Sequence, residues 1–374
     1  MRIKKSIVRN LSNLPGWRTN QKIVVLESDD WGAIRMSSKE AYDRLFNLGI
    51  KPLNKDEERY LKNDSLASES DLTNLFEVLH SVKDGSGKPA VFTVVAVVAN
   101  PDFGKIKDAA NKEYFYEPFN VTLERYPQHA NSFELWKQGI REKIFLPQFH
   151  GREHLNVHSW LKALQLNNPD TRSAFEEQVY GISPRDPINR ISYQAAFDII
   201  DVGEIEYQKT VITEGLDLFE QLFGYRSTFF VPTNGPFNNQ LEKTLHEGGI
   251  KFIGTSKIQK EPMGNEKYKR NFRYIGQKNK FGQTYLTRNC FFEPSSHLKN
   301  DWVDSCMNEI KIAFNWNKPA VISSHRVNYT GFLNLTNREK GLRQLKTLLK
   351  SIINRWPDAT FITSEELGFI ISGK

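Results

Sequence analysis

Cysteine is nearly absent from this sequence: Cys290 and Cys306 are the only two among 374 residues, and they form no Cys-x-x-Cys unit. Two such thiols build no disulfide framework, which points mildly to a reducing compartment and leaves both as packing residues. Long hydrophobic runs are absent too. No window approaches the ~20 apolar residues of a membrane helix, so no membrane span is expected. The start, Met1-Arg2-Ile3-Lys4-Lys5-Ser6-Ile7-Val8-Arg9-Asn10, has the basic character of a signal peptide. It lacks the apolar stretch of ~7–15 residues that should follow, because Arg9, Asn10 and Asn13 interrupt it. A cytoplasmic protein is expected, or a mature form whose signal has been removed. Zinc-finger, RNP and helix-turn-helix signatures are missing as well, so no nucleic-acid partner is expected. The net charge of +7 and the pI near 9.1 then read as a solvated basic surface, although an anionic glycan could use that field. Repeats and low-complexity tracts are not found.

What is present is an ordinary globular composition, with 39% hydrophobic and 25% charged residues, in a chain long enough for one large α/β domain or two smaller ones. After an irregular lead-in over 1–21, residues 22–27 read as a short buried strand. Residues 90–99 (AVFTVVAVVA) are the clearest strand, rich in β-branched side chains. Further strands are expected at 144–149, 228–232, 251–254, 285–292, 320–324 and 359–363. Helical patterns occupy 37–40 onward, 71–82, 239–248, 302–316 and 338–355. A stretch from about 155 to 222 reads as a helical insertion, interrupted near 181–187. Within it, 193–205 has apolar residues at helical spacing, and Asp198, Asp201 and Glu204 read as a solvated stripe rather than a metal site. Strands alternate with helices along the chain, which favours parallel strands with crossover helices. Seven or eight such units suggest a barrel.

Three of the strand-like runs end in ionisable side chains, which is where a barrel places its chemistry. Val24-Val25-Leu26-Glu27-Ser28-Asp29-Asp30 ends in two carboxylates. Neighbours on a strand point to opposite faces, but at a turning strand end both can reach one pocket. The plainer alternative is a turn and helix cap. Phe149-His150-Gly151-Arg152-Glu153-His154 supplies two imidazoles four residues apart, a spacing that suits a shared metal at ~2.0–2.1 Å. His158 is a surface or supporting residue, since eight helical residues would carry it ~12 Å from His150. The same run fits H-x-x-E-H, the inverted zinc-peptidase pattern with Glu153 as base, but Pro147 and Gly151 suit a strand-to-helix junction better than the helix that pattern needs. Ala320-Val321-Ile322-Ser323-Ser324-His325 ends in a third histidine. Trp31 and Trp302 are candidates for stacking on sugar rings, with core packing as the alternative.

In this order, the motifs resemble the polysaccharide deacetylases of the NodB-homology type, carbohydrate esterase family four and its relatives. Ser28-Asp29-Asp30 is similar to that family's first motif, His150 to His154 to its second, and Ser323-Ser324-His325 to its last; the closing run Phe361-Ile362-Thr363-Ser364-Glu365-Glu366-Leu367 resembles its final strand and helix. The resemblance spans about residues 22–370 and implies a deformed (β/α)7 barrel of the glycoside hydrolase/deacetylase type, here one domain over 1–374. It also implies a divalent metal, usually zinc, held by Asp30, His150 and His154, with Asp29 as general base and His325 as general acid. The substrate it implies is an acylated sugar or glycan, losing an N- or O-acetyl group. Two motifs depart from the pattern. Val231 stands before Pro232 where the third motif has arginine, with Asn234, Gly235 and Phe237 beyond it as groove residues. The fourth is at best Asp301-Trp302, so Arg288 and Glu293 are candidates for the missing charges around His325. These departures also leave open a non-catalytic glycan-binding barrel.

Overall fold

The computed structural model describes residues 9–296 and 300–373; the first eight residues of the expected lead-in lie outside the described residues. Among the described residues thirteen strands follow one another: β1 (Ile23–Trp31), β2 (Phe92–Val97), β3 (Ala99–Pro101), β4 (Tyr116–Pro118), β5 (Phe145–Gly151), β6 (Phe229–Phe230), β7 (Phe252–Thr255), β8 (Ile258–Pro262), β9 (Tyr268–Phe272), β10 (Thr284–Thr287), β11 (Cys290–Phe291), β12 (Ala320–His325) and β13 (Thr360–Ile362). Nine of them form one sheet in the order β10-β7-β6-β5-β2-β1-β12-β11, with β13 beside β1. Every pairing in that sheet is parallel. Spatial neighbours are therefore neighbours in chain order, as in a barrel, and the sheet curls accordingly. It opens between β10 and β11, which are not paired with each other among the described residues. This is the expected (β/α) barrel class in its deformed form.

Burial follows from the sequence run by run. β1 is buried at every position, as a strand covered on both faces must be. Alternation sorts it: Val24 and Leu26 join the core beneath the helices, and Ile23 and Val25 join Val95, Val321, Leu286 and Leu367 in the interior cluster. Glu27 and Asp29 continue the inward-facing series. Outside, the helix Leu335–Arg355 packs on Trp302–Asn315 and on Glu69–His80. The lead-in is tied down by Lys318, whose ammonium donates to the carbonyls of Pro15, Gly16 and Trp17 at 2.6–2.8 Å.

One expectation fails. The stretch 155–222 is helical only at Val157–Gln165, Pro169–Glu176 and Glu204–Phe223, and 177–203 holds no regular element. Between 191 and 199 the buried apolar residues are Ile191, Tyr193, Ala195, Phe197 and Ile199, a period of two rather than 3.6. Its backbone is satisfied from outside the segment: the Asn156 amide donates to the carbonyls of Ala195 and Asp198, and Ala196 N–H donates to Thr233 Oγ1. Asp198 is accordingly buried, accepting from Tyr268 O–H at 2.7 Å, and is not part of a solvated stripe. The strand expected at 285–292 is two strands, parted at Arg288 and Asn289 where the sheet opens.

Candidate active site

The strand ends converge by register. Asp29 in β1 is the direct partner of His325 in β12. β1 then breaks its pairing with β2 between Ser28 and Trp31, and Asp30 takes a left-handed backbone with φ +73°. That bulge lets consecutive carboxylates reach one cavity despite the strand's alternation. β5 does the same: Ala96 pairs with Phe149 and Val97 with Gly151, so His150 is the extra residue. The chain leaves through Gly151 (φ +133°), carries His154 in the connection, and starts the next helix at Asn156, whose side chain accepts from Ser159 N–H. The two histidines thus come from a strand bulge and a loop, not from a helix.

Ligand atoms of Asp30, His150 and His154 all lie within 4.8 Å of one another, and all three residues are buried. His150 Nδ1 donates to the Val231 carbonyl at 2.7 Å, which leaves its Nε2 for another partner. That Nε2 faces Asp30 Oδ1 at 3.5 Å, with no hydrogen-bond donor of its own among the described residues. A buried imidazole nitrogen and a carboxylate oxygen at this separation suit a shared cation, since 3.5 Å is about the ligand-to-ligand separation across a tetrahedral zinc site. His154 Nε2 lies 3.0 Å from the same oxygen. The donor set, one carboxylate and two imidazoles, fits a divalent ion such as zinc. Burial would raise the Asp30 carboxyl, but His154, His150 and Arg35 outweigh it and hold the group well below the usual range. Burial lowers His154 to about 4, against the pull of Asp30, so its imidazole is neutral at pH 7.

A second group adjoins the first through Asp29, the residue before Asp30. Arg288, in the opening between β10 and β11, donates to both Asp29 oxygens at 2.6 Å and also pairs with Glu27. Burial raises the Asp29 carboxyl, but the Arg288 guanidinium prevails and keeps it below the ordinary value. His325 Nε2 is 3.9 Å from Asp29 Oδ2, and its Nδ1 meets Glu293 Oε1 at 2.5 Å. Burial lowers His325, yet Glu293 overcomes this and the imidazole rises to about 9. Arg59 and Asn328 hold the other oxygen of Glu293 at 3.1 and 2.9 Å. These groups line one cavity of about 970 Å³.

All five expected site residues are therefore brought together. Of the two charges expected around His325, Glu293 meets its Nδ1, whereas Arg288 is bound to Asp29 and Glu27 instead. Val231 contributes its carbonyl and lines the cavity with Pro232, Asn234 and Gly235, whereas Phe237 is core. Asp301 is the N-cap of its helix, and Trp302 lines the cavity. Trp31 is not available for stacking: it is buried, donates to Ser28 Oγ and packs edge-on against Trp136 and Phe145. Glu153 points away from the site. Arg152 grips it at 2.6 and 2.9 Å, and it lines a separate small cavity with an exposed His158. The inverted zinc-peptidase geometry is not met, because His150 is on a strand and Glu153 is bound elsewhere. Sequence reasoning missed Glu27, Arg35 and Arg59. Only Glu27 carried a signal, as a charge inside an apolar strand that needed a buried partner.

No protein family matches the chain, and no curated protein matches it. No helix among the described residues is long and apolar enough to cross a membrane. Solved structures with similar folds include an allantoinase, 11% identical with TM-score 0.48 over 94% of this chain and 91% of that one. A peptidoglycan deacetylase from Bacillus subtilis is 11% identical with TM-score 0.37, covering 95% of this chain and 93% of that one. A 4-alpha-glucanotransferase from Thermococcus litoralis is 10% identical with TM-score 0.47; the match covers 92% of this chain but 40% of the other.

Proposed function

We propose that this protein is a metal-dependent hydrolase that removes an N- or O-acyl group from a sugar or glycan. The observation that carries this reading is one cavity lined both by Asp30, His150 and His154 and by the Asp29–His325 pair. When bound, a divalent ion supplies acidity to a water and polarises the acyl carbonyl. Asp29, kept ionised by Arg288, retains a free lone pair on each oxygen and accepts the water proton as the C–O bond forms at the acyl carbon. His325, kept protonated by Glu293, gives its proton to the departing nitrogen or oxygen as the acyl bond breaks. Acid and base thus hold opposite protonation states at pH 7 while 3.9 Å apart.

The test couples metal analysis to acyl release from acetylated sugars. Wild type should carry near-stoichiometric divalent metal and release acetate. His154→Ala should lose the metal, while Asp29→Asn and His325→Ala should keep it and lose release. Activity lost in Glu153→Gln and kept in Asp29→Asn would restore the peptidase reading. Sugar binding without release by the metal-loaded protein would make this a binding barrel.

A further inference from the structure

The antiparallel hairpin β8–β9 presents a face that the proposed chemistry does not use. Its register pairs Ile258 with Phe272, Lys260 with Arg270 and Pro262 with Tyr268, so these six residues share one side. The opposite side is anchored. Gln259 Nε2 donates to the Phe237 carbonyl at 2.9 Å, Asn271 Nδ2 donates to Glu261 Oε2 at 2.8 Å, and Arg273 Nε donates to Gln259 Oε1 at 2.7 Å. Of the six residues on the outer side, Pro262 is buried and the other five are exposed. Phe272 is 75% exposed and Ile258 50%, an opposed apolar pair with no cover among the described residues. Lys260 and Arg270 are exposed beside them, as are Met263 and Lys267 in the connecting turn. Tyr268 is fixed by its hydrogen bond to Asp198.

We propose that this face docks the protein on an anionic lipid surface. The chemistry separates that occupant from two others. A second copy packed face to face would set Lys260 and Arg270 against their own equivalents, a like-charge contact. An anionic polymer takes cations and aromatic rings but gains nothing from Ile258 and Met263. A bilayer interface takes all of them: aliphatic and aromatic groups enter the headgroup boundary while lysine and arginine meet anionic lipid.

Flotation of the full-length protein with phosphatidylcholine vesicles, with and without phosphatidylglycerol, tests this. Partition should be about tenfold or more higher on the anionic vesicles and should fall with salt. The double variants I258S/F272S and K260E/R270E should each lower it about tenfold, with metal content and thermal midpoint unchanged. The site variant His154→Ala should partition like wild type, so a failed acyl-release assay leaves this result standing. Equal partition of all variants, or none by wild type, overturns the proposal. Heparin binding tighter than vesicle binding and untouched by I258S/F272S overturns it in favour of an anionic polymer. A concentration-dependent dimer lost in F272S overturns it in favour of a second copy.

Discussion

Arg288 holds two buried carboxylates at once, Glu27 and Asp29, and reaches Ser323 Oγ at 3.2 Å. Removing it strands both anions in the barrel interior. Arg288→Met should therefore destabilise the protein by about 3–5 kcal/mol, read as a lower midpoint in urea unfolding. Arg288→Lys should recover part of the stability but not the bidentate grip on Asp29, and should remain impaired in acyl release. The partner group makes a different prediction. His325 has its imidazole raised to about 9, so it stays protonated through neutral pH, and acyl release should decline on an alkaline limb near that value. Glu293→Gln removes the charge that raises it, and the limb should move down toward the ordinary histidine range near 6.5. The sign for stability follows from the same shift. A folded-state value above the unfolded one gives stability that is complete below about 6.5 and is lost as pH rises through about 9. Wild type should lose stability across that window and Glu293→Gln should lose less; identical pH–stability curves would dismiss the pair as a contributor.

Elements carry these residues to the site, and one contact between elements is unusually close. A Cβ on Gly341, in the helix Leu335–Arg355, would lie 1.7 Å from the Asn328 carbonyl oxygen. Asn328 belongs to the turn that follows His325 and holds Glu293 through its side chain. Gly341→Ala should push helix and turn apart, costing about 1–3 kcal/mol. It should also lower acyl release more than an equally destabilising substitution far from this turn, a comparison that separates a positioning effect from general instability. How far such elements could be foreseen depended on how local their cause is. β1, β2, β5 and β12 were legible because buried parallel strands read as continuous apolar runs, and the candidate site at the ends of β1, β5 and β12 was legible because ionisable residues closed those three runs. The segment 177–203 misled because Tyr193, Phe197 and neighbouring apolar residues fit two periods over a short window, and the partners that decide between them, Asn156 and Thr233, lie far away in sequence. The β8–β9 hairpin went unseen among its lysines, and so did Arg59, which reaches Glu293 across 234 residues.

At the scale of the whole molecule, the curled sheet is open between β10 and β11 among the described residues. Arg288 ties the opening to β1 and β12. Asp30 also belongs to β1, while His150 and His154 belong to β5 and its exit loop, so an ion held by all three would join strands separated in the sheet by β2. These ligands meet only in the folded chain, so the ion's binding free energy adds to folding stability. Zinc at about 100 times its dissociation constant should stabilise the chelator-treated protein by about 2.7 kcal/mol. For 374 residues that corresponds to a rise of about 3 °C in thermal midpoint. Three proteins distinguish where the ion acts. Wild type should show the rise. Arg288→Met, melting lower from the start, should show the same increment because Arg288 holds Glu27, Asp29 and Ser323 and none of the three ligands. His154→Ala should show none. A zinc-dependent rise retained in His154→Ala would place the ion elsewhere in the molecule and remove the centre on which the proposed hydrolysis depends.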